Sequence, residues 1–238
     1  MSSLYNVKET LFSDEGLSTW KVGNDVHIWK FPAISLSSSL LTKAEMESAE
    51  RFRFEGDRNR YTVGRHALRL ILSRYLSVNP AELAFTVNGA GKPVIQKPVA
   101  GIHFNISHSG EWVILGFAAQ ELGVDVEKID PAFGFQDLLQ EHFSAEEKDF
   151  ICESPEPHLA FYYLWTRKEA LTKAWGTGLQ ENLKEVRVLN KNAGFELDKK
   201  NWKLESFRVS ALYPAAIAFR GDLEKVRFFN GSAFLISF

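Results

Sequence analysis

The sequence predicts an α+β fold made of two halves that meet near residue 120. Three observations predict it. Short stretches in which apolar and polar residues alternate recur along the chain, which is the period of a half-buried strand. Two longer stretches, one opening at Asp57 and one running from Pro157 to Trp175, carry helical character instead. The order strand, helix, strands then occurs once before residue 120 and once after it, a division into residues 1–119 and 120–238.

Each element has a local reason. Val26, Ile28 and Phe31 alternate with polar residues over Asp25–Phe31, which suits a strand. Thr42 followed by Glu45 is a capping-box signature for a helix running toward Phe54. From Asp57, the residues Tyr61, Gly64, Leu68, Ile71, Leu72 and Tyr75 recur at three-to-four spacing, and Asn79-Pro80 closes that helix. Strands are expected at Ala84–Val87, His103–Ser107, Trp112–Ala118 and Leu122–Glu127. Ser144 and Glu147 form a second capping box, and Pro157–Trp175 has no internal glycine or proline before Gly176, which suits a C′ glycine. Further strands are expected at Glu185–Leu189, Lys203–Ser210, Ala215–Phe219, Val226–Phe229 and Ala233–Ile236.

Composition narrows the function classes. With 238 residues, 45% hydrophobic and 24% charged, the chain has ordinary globular values and enough length for a sizeable core. A net charge of −2 gives no global attraction to nucleic acid or anionic lipid, so a polyanion site must be a local cluster of cations. Met1–Leu17 has no apolar signal-peptide region, no apolar run reaches spanning length, and the single Cys152 permits no intrachain disulfide. These readings point to a cytoplasmic protein with no membrane partner.

Four stretches can carry chemistry. In Gly123-Val124-Asp125-Val126-Glu127, strand alternation puts Asp125 and Glu127 on one face and the valines in the core. Adjacent carboxylates repel unless a cation neutralises them, and hard oxygens suit Mg²⁺; the other reading is a strand end with two solvated acids. In Trp165–Lys173, Glu169 and Lys173 lie one turn apart, either as a surface ion pair or as a third carboxylate with a phosphate-binding lysine. His103–Gly110 is a strand entering a polar turn, with Ser107 and His108 at its end, and His108 either binds phosphate or supports the turn. Gly89-Ala90-Gly91-Lys92-Pro93 lacks P-loop spacing, but its turn would let backbone approach a flat base. Arg51, Arg53, Arg58, Arg60, Arg65, Arg69 and Arg74 then supply a local cationic stretch without lysine, suited to phosphate.

Taken in order, these stretches resemble the two-domain, surfactin-synthetase-activating (Sfp-type) 4′-phosphopantetheinyl transferases. The likeness rests on Asn105-Ile106-Ser107-His108-Ser109, on Gly123 through Lys128, and on Trp165 through Lys173 with Lys168-Glu169 and Lys173 in register. Gly91-Lys92-Pro93 and Asn59-Arg60 fall where the family has nucleotide contacts, and the match spans roughly residues 45–180. The resemblance implies a pseudo-twofold monomer in which each half packs a small antiparallel sheet on a long helix, with coenzyme A in the cleft between them. It implies Mg²⁺, or Mn²⁺, on Asp125, Glu127 and Glu169, Lys173 on the pyrophosphate, and His108 with Arg60 on phosphate at the nucleotide end. Lys92 and Pro93 would line the adenine pocket with Ser107 nearby, and Lys43 would match a further basic position.

The implied reaction moves 4′-phosphopantetheine from coenzyme A to a serine of an apo acyl or peptidyl carrier protein and releases adenosine 3′,5′-bisphosphate. Glu169 is the expected base, acting either directly or through a water on the ion, with Lys173 and His108 completing the catalytic set. Two other functions fit parts of the pattern. A coenzyme A- or carrier-binding module without turnover would not need carboxylates at all three metal positions. A metal-dependent nuclease needs an acid, one spacer and a lysine, whereas Lys128 directly follows Glu127.

Overall fold

The computed structural model describes residues 10–14, 20–89, 91–99, 101–176, 183–189, 195–197 and 200–235. Most of Met1–Leu17 lies outside these residues, as does Ala90 of the glycine–lysine turn. The elements in chain order are β1 (Val26–Pro32), α1 (Lys43–Glu50), α2 (Glu55–Leu76), β2 (Ala84–Val87), β3 (Pro93–Lys97), β4 (His103–Ser109), β5 (Trp112–Ala118) and β6 (Leu122–Val126). They continue with α3 (Gln136–His142), α4 (Ala145–Cys152), α5 (Pro157–Trp175), β7 (Phe195–Leu197), β8 (Lys200–Ser210), β9 (Tyr213–Arg220) and β10 (Val226–Asn230).

Strand alternation sorts these elements into four layers. In the sheet β10-β1-β5-β4, Trp29, Phe31, Val113, Leu115 and Phe117 face α2, whereas Ile28 and Ile114 face the opposite way. In the sheet β6-β9-β8-β7, Leu204, Ala216 and Ala218 face α5, whereas Phe207, Ala215, Ile217 and Phe219 face inward. The two inward faces share a core with Leu122, Val124 and Val126, giving helix, sheet, sheet, helix. The fold is thus mixed α+β with small sheets. No described helix is long and apolar enough to cross a membrane.

Local signals held where they were local. Both capping boxes form, with Thr42 Oγ1 accepting from Glu45 N and Ser144 Oγ accepting from Glu147 N. Gly176 ends α5 in the left-handed region at φ +69°, its N–H donating to Thr172 O. Helix α2 starts at Glu55, two residues before the expected Asp57, and ends at Leu76 with Ser77 at φ +54°.

Several expectations are corrected. The first sheet is not purely antiparallel: β10 returns from the C-terminal end to pair in parallel with β1, Ile28 opposite Phe228. Glu185–Leu189 is not a strand. A 3₁₀ turn spans Leu183–Glu185, and the segment's backbone groups are satisfied by buried charged side chains rather than by a neighbouring strand. Lys168 Nζ donates to Leu183 O (2.8 Å) and Val186 O (2.5 Å), Arg167 Nε donates to Val188 O (2.7 Å), and Glu147 Oε1 accepts from Val188 N (2.9 Å). Ala233–Ile236 is likewise no strand over its described residues; Ser232–Leu235 is a 3₁₀ turn that Asn230 initiates by accepting from Ser232 N and Oγ. Strand β3, paired with β2, and helix α3 were not anticipated; α3 has no side-chain cap to announce it.

Candidate active site at a seam between sheet edges

Strands β4 and β6 are edge strands of different sheets, and they run beside each other. What joins them is a register of side chains. Asn105 Oδ1 accepts from Val124 N (2.8 Å), Ser107 Oγ from Val126 N (3.3 Å), and Ser109 Oγ from Lys128 N (3.0 Å). Alternate side chains of β4 therefore stand in for the backbone carbonyls that β6 would find in a paired strand. Two of these hydroxyls turn their protons to carboxylates: Ser107 to Asp125 Oδ1 and Ser109 to Glu127 Oε2, each at 2.9 Å.

Helix α5 closes the site from the other side, and Gly123 sets the distance. A Cβ at Gly123 would lie 2.1 Å from Ala170 O and 2.3 Å from Ala174 N, so only glycine lets β6 press onto the helix backbone. This contact brings Lys173 to Asp125: the Lys173 ammonium donates to Asp125 Oδ1 at 2.6 Å and to Ser107 Oγ at 3.2 Å. Lys173 is therefore bonded across the seam rather than paired with Glu169 on its own helix.

Electrostatics at the seam follow from crowding. Burial, then the Asp125 charge, push the Glu127 carboxyl up to about 7, against the Ser109 hydrogen bond and Lys173, which pull it down. Burial and Asp125 raise Glu169 as well. Burial works to lower the Lys173 ammonium, but the charge and hydrogen bond of Asp125, with Glu169 and Glu127, outweigh it and hold the group above the ordinary lysine value. Asp125 Oδ2 and Glu169 Oε1 are buried without a hydrogen-bond partner. The three expected metal carboxylates thus share one electrostatic neighbourhood. Among the described residues, however, no three His, Cys, Asp or Glu side chains are drawn together as a preformed metal cluster.

The nucleotide-end residues lie on the other face of β4. A pocket of about 190 Å³ is lined by Arg60, Tyr61, Arg65, Pro93, Ile106 and His108, among others. Arg60 is oriented by Asp57, to which it is hydrogen-bonded, and by Gly110 O at 2.9 Å. The surrounding protein desolvates His108 and lowers its pKa, and the Arg60 and Lys173 charges add to this against a backbone hydrogen bond and the Asp57 charge, which raise it.

Two predicted residues, Lys92 and Lys43, do not line that pocket. The Lys92 side chain turns away from that pocket, donating to Leu122 O (2.8 Å) and Lys173 O (2.7 Å). It clips the β2–β3 turn onto β6 and α5, and burial with the Lys173 charge lowers it to about 8 against the pull of Glu121. Lys43 opens α1 with its side chain 89% exposed, 3.9 Å from Glu47. Sequence reasoning also missed the buried pair of Lys168 with Glu147 at 2.9 Å, both fully buried, which anchors the segment after α5. The capping box named Glu147, but nothing local revealed its second partner.

Residues 30–121 match the model described as 4′-phosphopantetheinyl transferase, N-terminal, and residues 121–218 match that of the 4′-phosphopantetheinyl transferase superfamily. The chain is 32% identical over 178 residues to the 4′-phosphopantetheinyl transferase HetI of Nostoc sp., covering 70% of this chain and 75% of that relative. It is 33% identical over 152 residues to the 4′-phosphopantetheinyl transferase Sfp of Bacillus subtilis, covering 63% and 66%. To the 4′-phosphopantetheinyl transferase psf-1 of Bacillus pumilus it is 36% identical over 140 residues, covering 57% and 58%.

Proposed function

The chain belongs to the 4′-phosphopantetheinyl transferases, and on that premise we propose that Asp125, Glu127, Glu169 and Lys173 are the centre at which it works. The enzyme transfers phosphopantetheine to carrier proteins; membership of the family implies coenzyme A as the donor and adenosine 3′,5′-bisphosphate as the leaving group. The observation that carries the site assignment is the Lys173–Asp125 contact, with orphan carboxylate oxygens on Asp125 and Glu169 beside it.

Those orphan buried oxygens, with the Glu127 and Glu169 carboxyls raised by burial and by the Asp125 charge, fit a hard divalent cation, so Asp125, Glu127 and Glu169 would hold Mg²⁺. When bound, the ion supplies Lewis-acid neutralisation of charge on the pyrophosphate. The chain's own residues do the rest. Lys173 offers a charge-assisted donor to a pyrophosphate oxygen as negative charge grows on the leaving phosphate. Glu169 accepts the proton of the carrier serine as its oxygen attacks phosphorus. Arg60 and His108 grip phosphate at the nucleotide end, while Pro93 and the backbone of the Lys92 turn wall the adenine side.

The two α+β halves carry complementary parts of this site: β4 and α2 the nucleotide end, β6 and α5 the reacting end. The proposed ligand cleft and pseudo-twofold relation follow that division, at residue 120, which β10 and the 3₁₀ turn after it cross to join the first half. Because both halves come from one chain, a monomer is complete.

The test is Glu169→Gln. The amide keeps shape but cannot take the proton, so coenzyme A should bind normally while transfer falls ~10²–10⁴-fold. Near-normal transfer would remove Glu169 from the base role.

A further inference from the structure

Strand β4 serves two parts of the site with its two faces. Ile106 and His108 look into the nucleotide-end pocket, whereas Ser107 and Ser109 hold Asp125 and Glu127. Ser107 is already crowded by Lys173, but Ser109 has one task on each side of its oxygen. It accepts the Lys128 N–H at 3.0 Å and donates its single proton to Glu127 Oε2 at 2.9 Å. With the acceptor side engaged by backbone, the direction of that proton is constrained, and so is the carboxylate that receives it.

The turn that follows Ser109 cannot drift. Gly110 is at φ +52°, and a Cβ there would lie 2.4 Å from Tyr213 Oη, so the turn is seated against β9. From the opposite side Arg60 Nη1 holds Gly110 O at 2.9 Å. Adjacent residues of one turn therefore touch the arginine of the nucleotide end and the carboxylate of the cation end.

We propose that Ser109 is a positioning residue that aims the Glu127 carboxylate at the divalent cation and ties that aim to the arginine-held turn. The inference rests on the cation assignment made above. Removing the hydroxyl frees Glu127 to rotate and leaves Lys128 N–H without its acceptor. Loss of an outer hydrogen-bond partner of a metal ligand typically costs 10–100-fold in metal affinity.

The experiment measures Mn²⁺ binding to the full chain with coenzyme A present, by electron paramagnetic resonance of the free ion, in wild type, Ser109→Ala, Ser109→Thr and Glu127→Gln. Ser109→Ala should weaken Mn²⁺ about tenfold, and Ser109→Thr, which keeps a hydroxyl, should bind within about threefold of wild type. In transfer assays Ser109→Ala should need about tenfold more Mg²⁺ for half-maximal rate, yet reach a kcat within about twofold of wild type at saturating Mg²⁺. Wild-type Mn²⁺ affinity in Ser109→Ala would overturn the proposal. So would equal weakening in the threonine variant, or a kcat loss that saturating Mg²⁺ does not recover. If Glu127→Gln itself bound Mn²⁺ like wild type, the cation assignment would fall instead.

Discussion

The Lys173 ammonium lies 2.6 Å from Asp125 Oδ1, so a lysine of α5 is the counter-ion of a carboxylate on β6. The carboxylate is 3% exposed and the lysine 30%. Removing one partner of such a pair leaves a buried charge uncompensated, which typically costs 3–5 kcal/mol. Lys173→Met should therefore lose about 3 kcal/mol in denaturant unfolding with a chelator present, taking the lower figure for the partly exposed lysine. Added Mg²⁺ should stabilise the variant more than it stabilises wild type. Unchanged stability in the chelator would mean that Asp125 does not depend on Lys173.

Gly123 makes that contact possible. In Gly123→Ala the new methyl meets backbone atoms of α5 at 2.1 and 2.3 Å, and backbone cannot rotate away as a side chain can. Overpacking of this kind costs typically 1–3 kcal/mol or more. The expected result is a destabilised protein whose transfer rate falls further than Gly116→Ala, where the nearest atom, Leu122 Cδ1 at 2.8 Å, can move. Wild-type rate and stability in Gly123→Ala would show that β6 and α5 need not touch.

At the nucleotide end, Arg60 and His108 share a pocket, and Arg60 is held in place by Asp57 and Gly110. A charge-assisted hydrogen bond to phosphate contributes about 1.5–3 kcal/mol. The enzyme should prefer coenzyme A to dephospho-coenzyme A by at least about tenfold in kcat/KM, or ~1.4 kcal/mol. That preference should shrink in Arg60→Ala and in His108→Ala. Equal slowing with both substrates would place these residues on the pyrophosphate instead.

His27 gives stability a pH dependence away from the site. It is buried in the first sheet, 2.7 Å from Tyr75 Oη, and burial lowers its pKa from 6.5 to about 4. Between those values the unfolded chain binds a proton that the folded chain refuses, so stability rises with pH and is lost as pH falls from 6.5 toward 4. At 1.36 kcal/mol for each pKa unit, the contribution is about 3 kcal/mol over that window. Chemical unfolding at pH 7 and pH 4.5 measures it, and His27→Gln should show a shallower loss. An equal slope in the variant would assign the effect to other groups.

Much of this was legible where the cause is local. Asp125 and Glu127 were read from strand alternation, the helix starts from Thr42-Glu45 and Ser144-Glu147, and the end of α5 from Gly176. What escaped is long-range. Nothing near Lys92 announces that its ammonium caps carbonyls of Leu122 and Lys173, thirty and eighty-one residues away. Asn105, Ser107 and Ser109 read as a polar strand end, and their role as substitutes for a strand's carbonyls needs β6 alongside. Glu185–Leu189 was expected as a strand, and Val186 and Val188 are buried, but the backbone partners that decide the matter belong to Arg167, Lys168 and Glu147.

The central claim is that the seam around Asp125 and Lys173 is where phosphopantetheine changes hands. Intact-mass measurement of an apo carrier protein incubated with coenzyme A, Mg²⁺ and enzyme tests it most directly. Wild type should add one phosphopantetheine to each carrier and release an equal amount of adenosine 3′,5′-bisphosphate. Asp125→Ala, confirmed folded by circular dichroism, should be slower by at least ~10²-fold, the scale of losing one preorganised electrostatic group. Conversion by Asp125→Ala at the wild-type rate would contradict the account and move the reaction away from this seam.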